Sequence, residues 1–361
     1  MQNIINTLVF VFILGSIITI HELGHLLAAK YFGVYCSQFS IGFGPKIYSR
    51  KGKETDFEIR ALPIGGFVAM AGEEGQEDQE ALKDVPYERT LKGKKTHEKI
   101  IIFLAGVFMN FFLAIVVIFG INLSSGELPV NVAQIGSIVD NSPAQIYELM
   151  PGDIIEKIEV VETGDVFVIN NFADIELNKQ TIQTSADALN LELSVKRNNN
   201  SITKNIVVEY NEEVHKYTLG IVQATRSMTF VEAFKYSFIT FGEMSVTIID
   251  ALGKLVTNFT GTVGQLSGPV GIYETTAKIT ESGDITYILS LLALLSVNIG
   301  VFNLMPIPGL DGCQMLFAIV EHIIGRELPE KLRMVLQIAG LALVFGLMII
   351  VTFQDIFRIF N

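Results

Sequence analysis

The chain has 361 residues, of which 50% are hydrophobic and only 18% are charged, whereas soluble proteins carry about a quarter charged residues. Its net charge at pH 7 is −12, and it has no Lys/Arg-rich patch interleaved with aromatic residues, which argues against nucleic acid as a partner. The apolar residues collect in blocks that reach the roughly 20 residues needed to cross a bilayer, so the composition predicts a multi-pass membrane protein.

Four apolar blocks predict four transmembrane helices. They run from about Ile4 to Ile20 and on through HELGHLLAAKYF, from Ile100 to Leu123, from Tyr287 to about Met305, and from Ile338 to Phe353. The first block has neither a basic n-region before it nor a small-residue cleavage site after it, so it does not read as a secretory signal peptide.

Basic residues near the span ends predict the orientation of the chain. Lys and Arg are frequent in the loops 33–97 and 313–335, whereas the stretch after the second span has none before Lys157. Because basic residues favour the cytoplasmic side, we expect both loops in the cytoplasm, and both termini and the segment 124–284 outside.

These signals divide the chain into membrane and aqueous segments. They are the first transmembrane helix at 1–32, a cytoplasmic loop with a membrane-associated β-hairpin region at 33–97, the second transmembrane helix at 98–123, a small extracytoplasmic α/β domain at 124–226, an extracytoplasmic amphipathic helix and linker at 227–284, the third transmembrane segment at 285–312, a cytoplasmic helix or loop at 313–335, and the fourth transmembrane helix at 336–357.

The aqueous segments carry weaker local signals. Residues 47–70 alternate like paired strands, and the acidic run 73–80 reads as a solvated loop. A helix begins at Ser142-Pro143, since Ser caps and Pro suits a first turn, and one later strand is expected at 216–222. The amphipathic pattern from Thr229 to Phe259 suits a helix on the outer membrane surface or one packed on the small domain.

The segment His21-Glu22-Leu23-Gly24-His25 has the HExxH pattern. On a helix, the two His share one face and can bind one Zn²⁺, while the intervening Glu can deprotonate water. Two His and a Glu at membrane depth are costly unless they pair or bind something, so the pattern indicates a metal site rather than a surface helix.

A second polar cluster, Asn303 to Gly312, follows the third span. A catalytic zinc takes three protein ligands and keeps an open position, and Asp311 is the carboxylate available here. Pro306 and Pro308 break the helix, and broken backbone at membrane depth is tolerated only where it is buried or lines a cavity. The two cysteines, Cys36 and Cys313, have no metal-ligand spacing and read as small buried residues.

Together these motifs resemble the site-2 protease family of intramembrane metalloproteases. The resemblance rests on HELGH in the first span and NLMPIPGLDG at the third, and it extends to SIGFGPKIYSR, LPIGGFVAM, GVFMN with Gly106 and Asn110, SPAQIYELMPGDIIEKI and SGPVGI. It covers most of the chain and is greatest for the bacterial type that cleaves anti-sigma factors. Two departures are room for a single PDZ domain and Cys313-Gln314 after LDG, where relatives commonly have Gly-His.

The resemblance implies that His21, His25 and Asp311 ligate Zn²⁺ and that Glu22 is the catalytic base. It implies a multi-pass α-helical protein of the bacterial cytoplasmic membrane with four transmembrane helices, a cytoplasmic-side membrane-associated β region and an extracytoplasmic PDZ-like α/β domain. It also implies regulated intramembrane proteolysis of single-pass substrates, such as anti-sigma factors or signal-peptide remnants, after a first cleavage by an upstream site-1 protease.

Other residues are candidates for substrate binding, each with an alternative. Asn303 holds the substrate backbone or the oxyanion, or else braces the broken helix. Gly65 and Gly66 allow a substrate strand to approach residues 55–70, or form a turn. Leu219 and Gly220 belong to a carboxylate loop if the PDZ-like domain binds tails; the family favours a size filter instead.

Two functions of other classes compete with the protease. A membrane metal transporter would need further intramembrane carboxylates or imidazoles, which the spans almost lack. A non-catalytic PDZ scaffold would not need Glu22. The physiological substrate and the oligomeric state do not follow from the sequence.

Overall fold

The computed structural model describes residues 2–73, 84–175, 177–212 and 215–360. The chain divides into two compact units, Met1–Asn122 with Phe234–Asn361 and Leu123–Ala233. We call the first the membrane unit and the second the small domain.

Four helices among the described residues are long and apolar enough to cross a bilayer, and they coincide with the four predicted spans. They cover Gln2–Tyr31, Thr96–Ser125, Ile285–Leu304 and Glu330–Phe360. The first two have 30 residues each, or about 45 Å at 1.5 Å per residue, so they exceed a hydrocarbon core of about 30 Å.

Helix α1 (Gln2–Tyr31) is followed by a hairpin of two long strands, β1 (Cys36–Arg50) and β2 (Asp56–Met70). Both strands bend, so residues 38–41 pair with 56–59 on one side and with 66–69 on the other. Gly42 and Gly44, with φ of 88° and 83°, supply backbone that other residues rarely adopt. These glycines interrupt the alternation, and the hairpin therefore begins earlier than the predicted 47–70.

An apolar cluster holds the hairpin against α1 and the second span, α2 (Thr96–Ser125). Its buried members are Leu26, Ala29, Val34, Cys36, Phe39, Val68, Met70, Leu91, Ile102 and Phe103. The end of β2 thereby lies beside α1. The edge of β2 that faces away from β1 pairs with no other strand of the described residues.

In its described residues, the small domain has one five-stranded sheet, two pairs of short strands, one short α-helix and one 3-10 turn at Phe172–Asp174. Its elements are β3 (Glu127–Pro129), β4 (Ile135–Ile138), α3 (Pro143–Ile146), β5 (Ile154–Val160), β6 (Val166–Val168), β7 (Ala188–Arg197), β8 (Asn200–Asn211), β9 (Lys216–Tyr217), β10 (Ile221–Gln223) and β11 (Thr225–Ser227). The sheet order is β6-β5-β7-β8-β9, and β4 pairs with β10 and β3 with β11. Alternate side chains of β7 fill one core, as the two-residue period of a strand requires.

The strand expected at 216–222 is two strands, which is a correction to the sequence prediction. Gly220 interrupts it with a φ of 72°. A Cβ there would lie 2.5 Å from Oγ of Ser142, so the turn needs glycine for both reasons.

A buried ion pair joins the start of β5 to the end of β7. Asp153, 1% exposed, accepts hydrogen bonds of 2.7 Å from both Nε and Nη2 of Arg197. Burial acts to raise the pKa of Asp153, but the hydrogen bonds from Arg197 and the Met150 N–H outweigh it and hold the pKa below its usual value.

The apolar face of the amphipathic helix packs against two of the membrane spans. It is α4 (Phe230–Thr257), and α5 (Phe259–Thr262), α6 (Pro269–Ser282) and the third span, α7 (Ile285–Leu304), follow. The apolar face of α4 packs against α2 and α7 through Phe241, Met244, Ile248 and Leu252, which meet Phe111, Ala114, Val297 and Val301. The spans expose a complementary apolar face, and its burial favours this position.

The third span ends where the sequence predicts a break. Helix α7 stops at Leu304, and α8 begins at Asp311 and ends at Ile324. Pro306, Pro308 and Gly309, with φ of 96°, lie between them. Helix α9 (Glu330–Phe360) completes the membrane unit, and its buried Asp355 accepts from the N–H groups of Gly268 and Gly271 at the start of α6.

Candidate metal centre

Two histidines share one face of α1, one turn apart, as the HExxH spacing predicts. His21 and His25 are 8% and 6% exposed, and their Nε2 atoms lie 3.1 Å apart. Helix α2 approaches α1 closely at Gly24, where a Cβ would lie 2.7 Å from the carbonyl carbon of Ala105. Both imidazoles are therefore enclosed rather than turned toward lipid.

Asp311 reaches the same point from the distant end of the chain. Its Oδ2 lies 3.0 Å from Nε2 of His21 and 3.4 Å from Nε2 of His25. Leu310, not Asp311, is the N-cap of α8, so the carboxylate does not cap its own helix. The break between α7 and α8 thus directs the side chain at the two imidazoles.

Both rings are oriented through their Nδ1 atoms. Nδ1 of His25 lies 2.8 Å from the carbonyl oxygen of Ile102, which only accepts, so Nδ1 carries the proton and Nε2 keeps a lone pair. Nδ1 of His21 lies 3.2 Å from the amide of Asn110, whose Oδ1 is buried without a hydrogen-bond partner in the described part of the chain. An amide turned to bring Oδ1 to Nδ1 satisfies both groups and leaves Nε2 of His21 free for a metal.

Gly106 gives the imidazoles the space that they occupy. A Cβ at this position would lie 2.6 Å from Cε1 of His25 and 2.9 Å from Cε1 of His21. Asn110 is one helical turn further along α2. This helix therefore provides space for the imidazoles at Gly106 and an amide that orients one of them at Asn110. This accounts for both residues of the Gly-xxx-Asn pattern.

The donor set fits zinc. The three ligand atoms lie within 4.8 Å of one another, and their measured separations of 3.0 to 3.4 Å match the roughly 3.3 Å between ligands of a tetrahedral site with bonds of about 2.0 Å. Two imidazoles and one carboxylate are ligands typical of catalytic zinc, which keeps an open position. We call His21, His25 and Asp311 the metal cluster.

Glu22 and the end of β2 form one wall of a cleft beside the metal cluster. The Glu22 carboxylate accepts a hydrogen bond from the backbone N–H of Val68, and a Cβ on Gly66 would lie 3.4 Å from Cγ of Glu22. Together with the cluster, the described residues that line the cleft include Ile18, Glu22, Phe43, Gly65, Gly66, Phe67, Val68, Met70, Glu73, Phe103, Ile299, Asn303, Gly309 and Leu310. The candidate base therefore lies between the metal cluster and an extended backbone.

The predicted substrate-binding residues lie in the two units to which the sequence analysis assigns them. Asn303, Gly65 and Gly66 line the cleft. Leu219 and Gly220 belong to the small domain, as predicted, where Leu219 is a core residue and Gly220 lies against Ser142.

Glu73 is a cleft residue that the sequence analysis missed. The run 73–80 reads as a solvated loop, and 74–80 lie outside the described residues, but Glu73 lines the cleft and one of its oxygens is buried. Burial raises its pKa to about 7, although the charge of His25 opposes the shift. The available signal was its place directly after β2, whose end lies at the site.

A sequence profile of peptidase family M50 matches residues 9–347 of this chain. A candidate zinc metalloprotease of Clostridium perfringens is 34% identical over 345 residues, covering 95% of this chain and 96% of that protein. The Bacillus subtilis protein named regulator of sigma-W protease RasP is 30% identical over 432 residues, covering 99% of each chain. The zinc metalloprotease RasP of Bacillus licheniformis is 30% identical over 433 residues, covering 98% of this chain and 100% of that protein.

Proposed function

Since this chain belongs to peptidase family M50, the site-2 protease family, and is a zinc metalloprotease of the membrane, we propose that it hydrolyses peptide bonds inside the transmembrane segments of membrane-anchored proteins. One observation carries the proposal. His21 and His25 are buried within α1, a helix apolar enough to span the bilayer, and Asp311 meets them there. Family membership also sets aside the metal transporter and the non-catalytic scaffold.

The chemistry of the site follows from its residues. Zinc, when bound by the metal cluster, supplies Lewis acidity that polarises a scissile carbonyl and acidifies water. Glu22 takes the proton of the attacking water and later gives it to the leaving amine. The Val68 N–H holds the Glu22 carboxylate for both transfers, and Asn303, which lines the same cleft, binds the substrate backbone or the developing oxyanion.

The substrate must be extended at the scissile bond, because a helical peptide bond is hydrogen-bonded and shielded. Residues 66–69 pair with β1 along one edge, and the opposite edge has no strand partner among the described residues. A substrate strand that adds to this edge gains backbone hydrogen bonds. Gly66 keeps side-chain atoms out of the space beside Glu22.

The substrates are membrane-anchored proteins of the anti-sigma-factor kind, or signal-peptide remnants, already trimmed by an upstream protease. The name of the Bacillus subtilis relative, a regulator of sigma-W protease, supports the first class. In this proposal the active site faces the cytoplasm, both termini lie outside, and the small domain is a PDZ-like filter that admits only trimmed substrates.

A purified-component assay tests the function. The parent and Glu22→Gln are each mixed with a single-pass test protein, and mass spectrometry locates any cut. The parent should cut within the apolar segment, while Glu22→Gln should retain zinc and lose about 10²–10⁴-fold in rate, as expected for a general base. Glu88→Gln is the matched control, because it makes the same substitution at an exposed surface position.

Two results contradict the proposal. One is a cut confined to the aqueous parts of the test protein. The other is equal cleavage by the parent and by Glu22→Gln, which would show that the activity belongs to a contaminant.

A further inference from the structure

Glu73 is held at the cleft by the backbone that precedes it. Ala71 accepts from the N–H of Leu91 and donates to the carbonyl of Tyr35, and the N–H of Glu73 donates to the carbonyl of Met70. Gly72 has a φ of 76°, and a Cβ there would lie 2.8 Å from Cβ of Thr90. A tight, glycine-dependent turn thus fixes the position of the Glu73 side chain.

The Glu73 carboxylate lies between two cavities. It lines the cleft that holds the metal cluster, and it also lines a neighbouring crevice. The crevice is bordered by Lys92, Lys99, Glu321 and Arg333, among others. Lys92 pairs with Glu330 and Arg333 pairs with Glu321. Lys92 and Arg333 are thus engaged with carboxylates other than that of Glu73.

The cleft has three carboxyl groups and no basic side chain of Lys or Arg among its described lining residues. The carboxyl groups are those of Glu22, Glu73 and Asp311. Oε2 of Glu73 is buried and has no hydrogen-bond partner in the described part of the chain, and a buried, unpaired carboxylate is costly.

We propose that Glu73 is a specificity residue that binds a positively charged nitrogen of the substrate peptide at the end of the cleft. This inference rests on the proposed function. A bound ammonium or guanidinium group would satisfy the free oxygen and favour the ionised form of the carboxylate. Burial raises the pKa of Glu73 to about 7, and a cation bound beside it would oppose this shift.

Two sources supply this chemistry. One is a Lys or Arg that flanks the substrate's transmembrane segment, since such residues are enriched on the cytoplasmic side of spans. The other is the new α-ammonium group that hydrolysis creates on one product. Both are N–H donors with a positive charge, and they differ in whether they act before or after the cut.

Paired substrates test the proposal. Two single-pass test proteins differ only in one flanking residue, Lys or Gln, and kcat and KM are measured with the parent, Glu73→Gln and the control Glu88→Gln. A charge-assisted hydrogen bond should give the parent a preference of about tenfold for Lys, mainly in KM. Glu88→Gln should keep this preference, Glu73→Asp should keep part of it, and Glu73→Gln should lose it.

A second arm separates the sources. Product peptides with a free or an acetylated α-amine are compared as inhibitors of the parent and of Glu73→Gln. Stronger inhibition by the free amine, seen only with the parent, assigns the site to the product. The proposal is overturned if the parent prefers neither the Lys substrate over the Gln substrate nor the free product amine over the acetylated one. It is also overturned if Glu73→Gln, with full zinc content, shows the same preferences as the parent.

The same inference can be separated from the proposed function by direct binding. Fluorescent Lys and Gln peptides are titrated into Glu22→Gln, which does not turn them over, and into Glu22→Gln/Glu73→Gln. A Lys preference that disappears in the double variant supports the role of Glu73 even where no cleavage is found. Equal binding of the Lys and Gln peptides to both proteins would show that Glu73 has no such role.

Discussion

Nε2 of His21 lies 3.0 Å from Oδ2 of Asp311, although the two residues belong to the first helix and to one of the last. Neither α1 nor α8 can hold a zinc ion alone, because one contributes two ligands and the other contributes one. The metal centre therefore exists only when the membrane unit is assembled, and zinc should in turn stabilise that assembly.

Asp311→Asn should release zinc. An amide is a weaker ligand than a carboxylate and carries no charge to offset the metal, so the affinity should fall by more than the roughly 10–100-fold seen when a group that only orients a ligand is lost. Metal analysis after dialysis against a graded chelator measures this. Asp284→Asn changes the N-cap of α7, away from the cluster, and should keep its zinc; equal retention by Asp311→Asn would refute the ligand assignment.

Gly106→Ala should disable the site without touching a ligand. The added Cβ would lie 2.6 Å from Cε1 of His25, so the imidazoles must move, and a misplacement of about 1 Å can cost about 10²-fold in rate. Gly120→Ala is the matched control on the same helix, because no heavy atom lies within 4 Å of its Cβ. Zinc content and cleavage rate are measured for both, and similar values for the two variants would contradict the packing argument.

Asn110→Leu should weaken zinc binding through His21. The amide that fixes its Nδ1 is lost, and such orienting groups are worth about 10–100-fold in metal affinity. Competition with a fluorescent chelator gives the affinity, with Asn122→Leu as a control further along α2. A normal affinity in Asn110→Leu would assign the Asn110 side chain to packing alone. The backbone carbonyl of Asn110, which accepts a hydrogen bond from the hydroxyl of Ser296, is the same in both proteins.

Gly66→Val should slow cleavage while zinc stays bound. Its Cβ would lie 2.8 Å from the carbonyl oxygen of Ser40 and 3.4 Å from Cγ of Glu22, and the branched side chain would fill space beside the free edge of β2. Cleavage of a transmembrane substrate and zinc content are measured in parallel. Normal cleavage by Gly66→Val would count against substrate addition at this edge.

Arg197→Gln should destabilise the small domain by about 3 kcal/mol, because it leaves the buried carboxylate of Asp153 without its cation. This value is the lower end of the range for breaking a buried ion pair, since the side chain of Arg197 is partly exposed. Hydrogen exchange of β5 and β7 amides in the full-length protein reports the loss. Lys157→Gln removes a partly exposed pair with Glu159 and should cost less than about 1 kcal/mol.

The same pair predicts a pH dependence. Because the folded pKa of Asp153 is lowered, its contribution is fully present above the unfolded value of about 3.9 and is lost as the pH falls through the folded pKa. Protection of these amides in the parent, taken relative to their intrinsic exchange rate at each pH, should therefore fall below about pH 4, and the difference in protection between the parent and Arg197→Gln should shrink there. A difference that is the same at pH 7 and at pH 3 would show that the ion pair is not its source.

The sequence by itself determined the parts of this protein that depend on local patterns. Apolar blocks of bilayer length fixed the four spans, the four-residue spacing of His21 and His25 put them on one helix face, and two prolines marked the break before Asp311. Each of these follows from the period or the length of a single segment, so no knowledge of distant contacts is needed.

Only the tertiary structure decided what meets what. It placed Glu73 in the cleft rather than in a solvated loop, and it packed α4 on α2 and α7. It also showed why Gly106 must be small, since the imidazoles that need the space come from another helix. Contacts between segments far apart in the chain depend on complementary shape and burial, which no local pattern records.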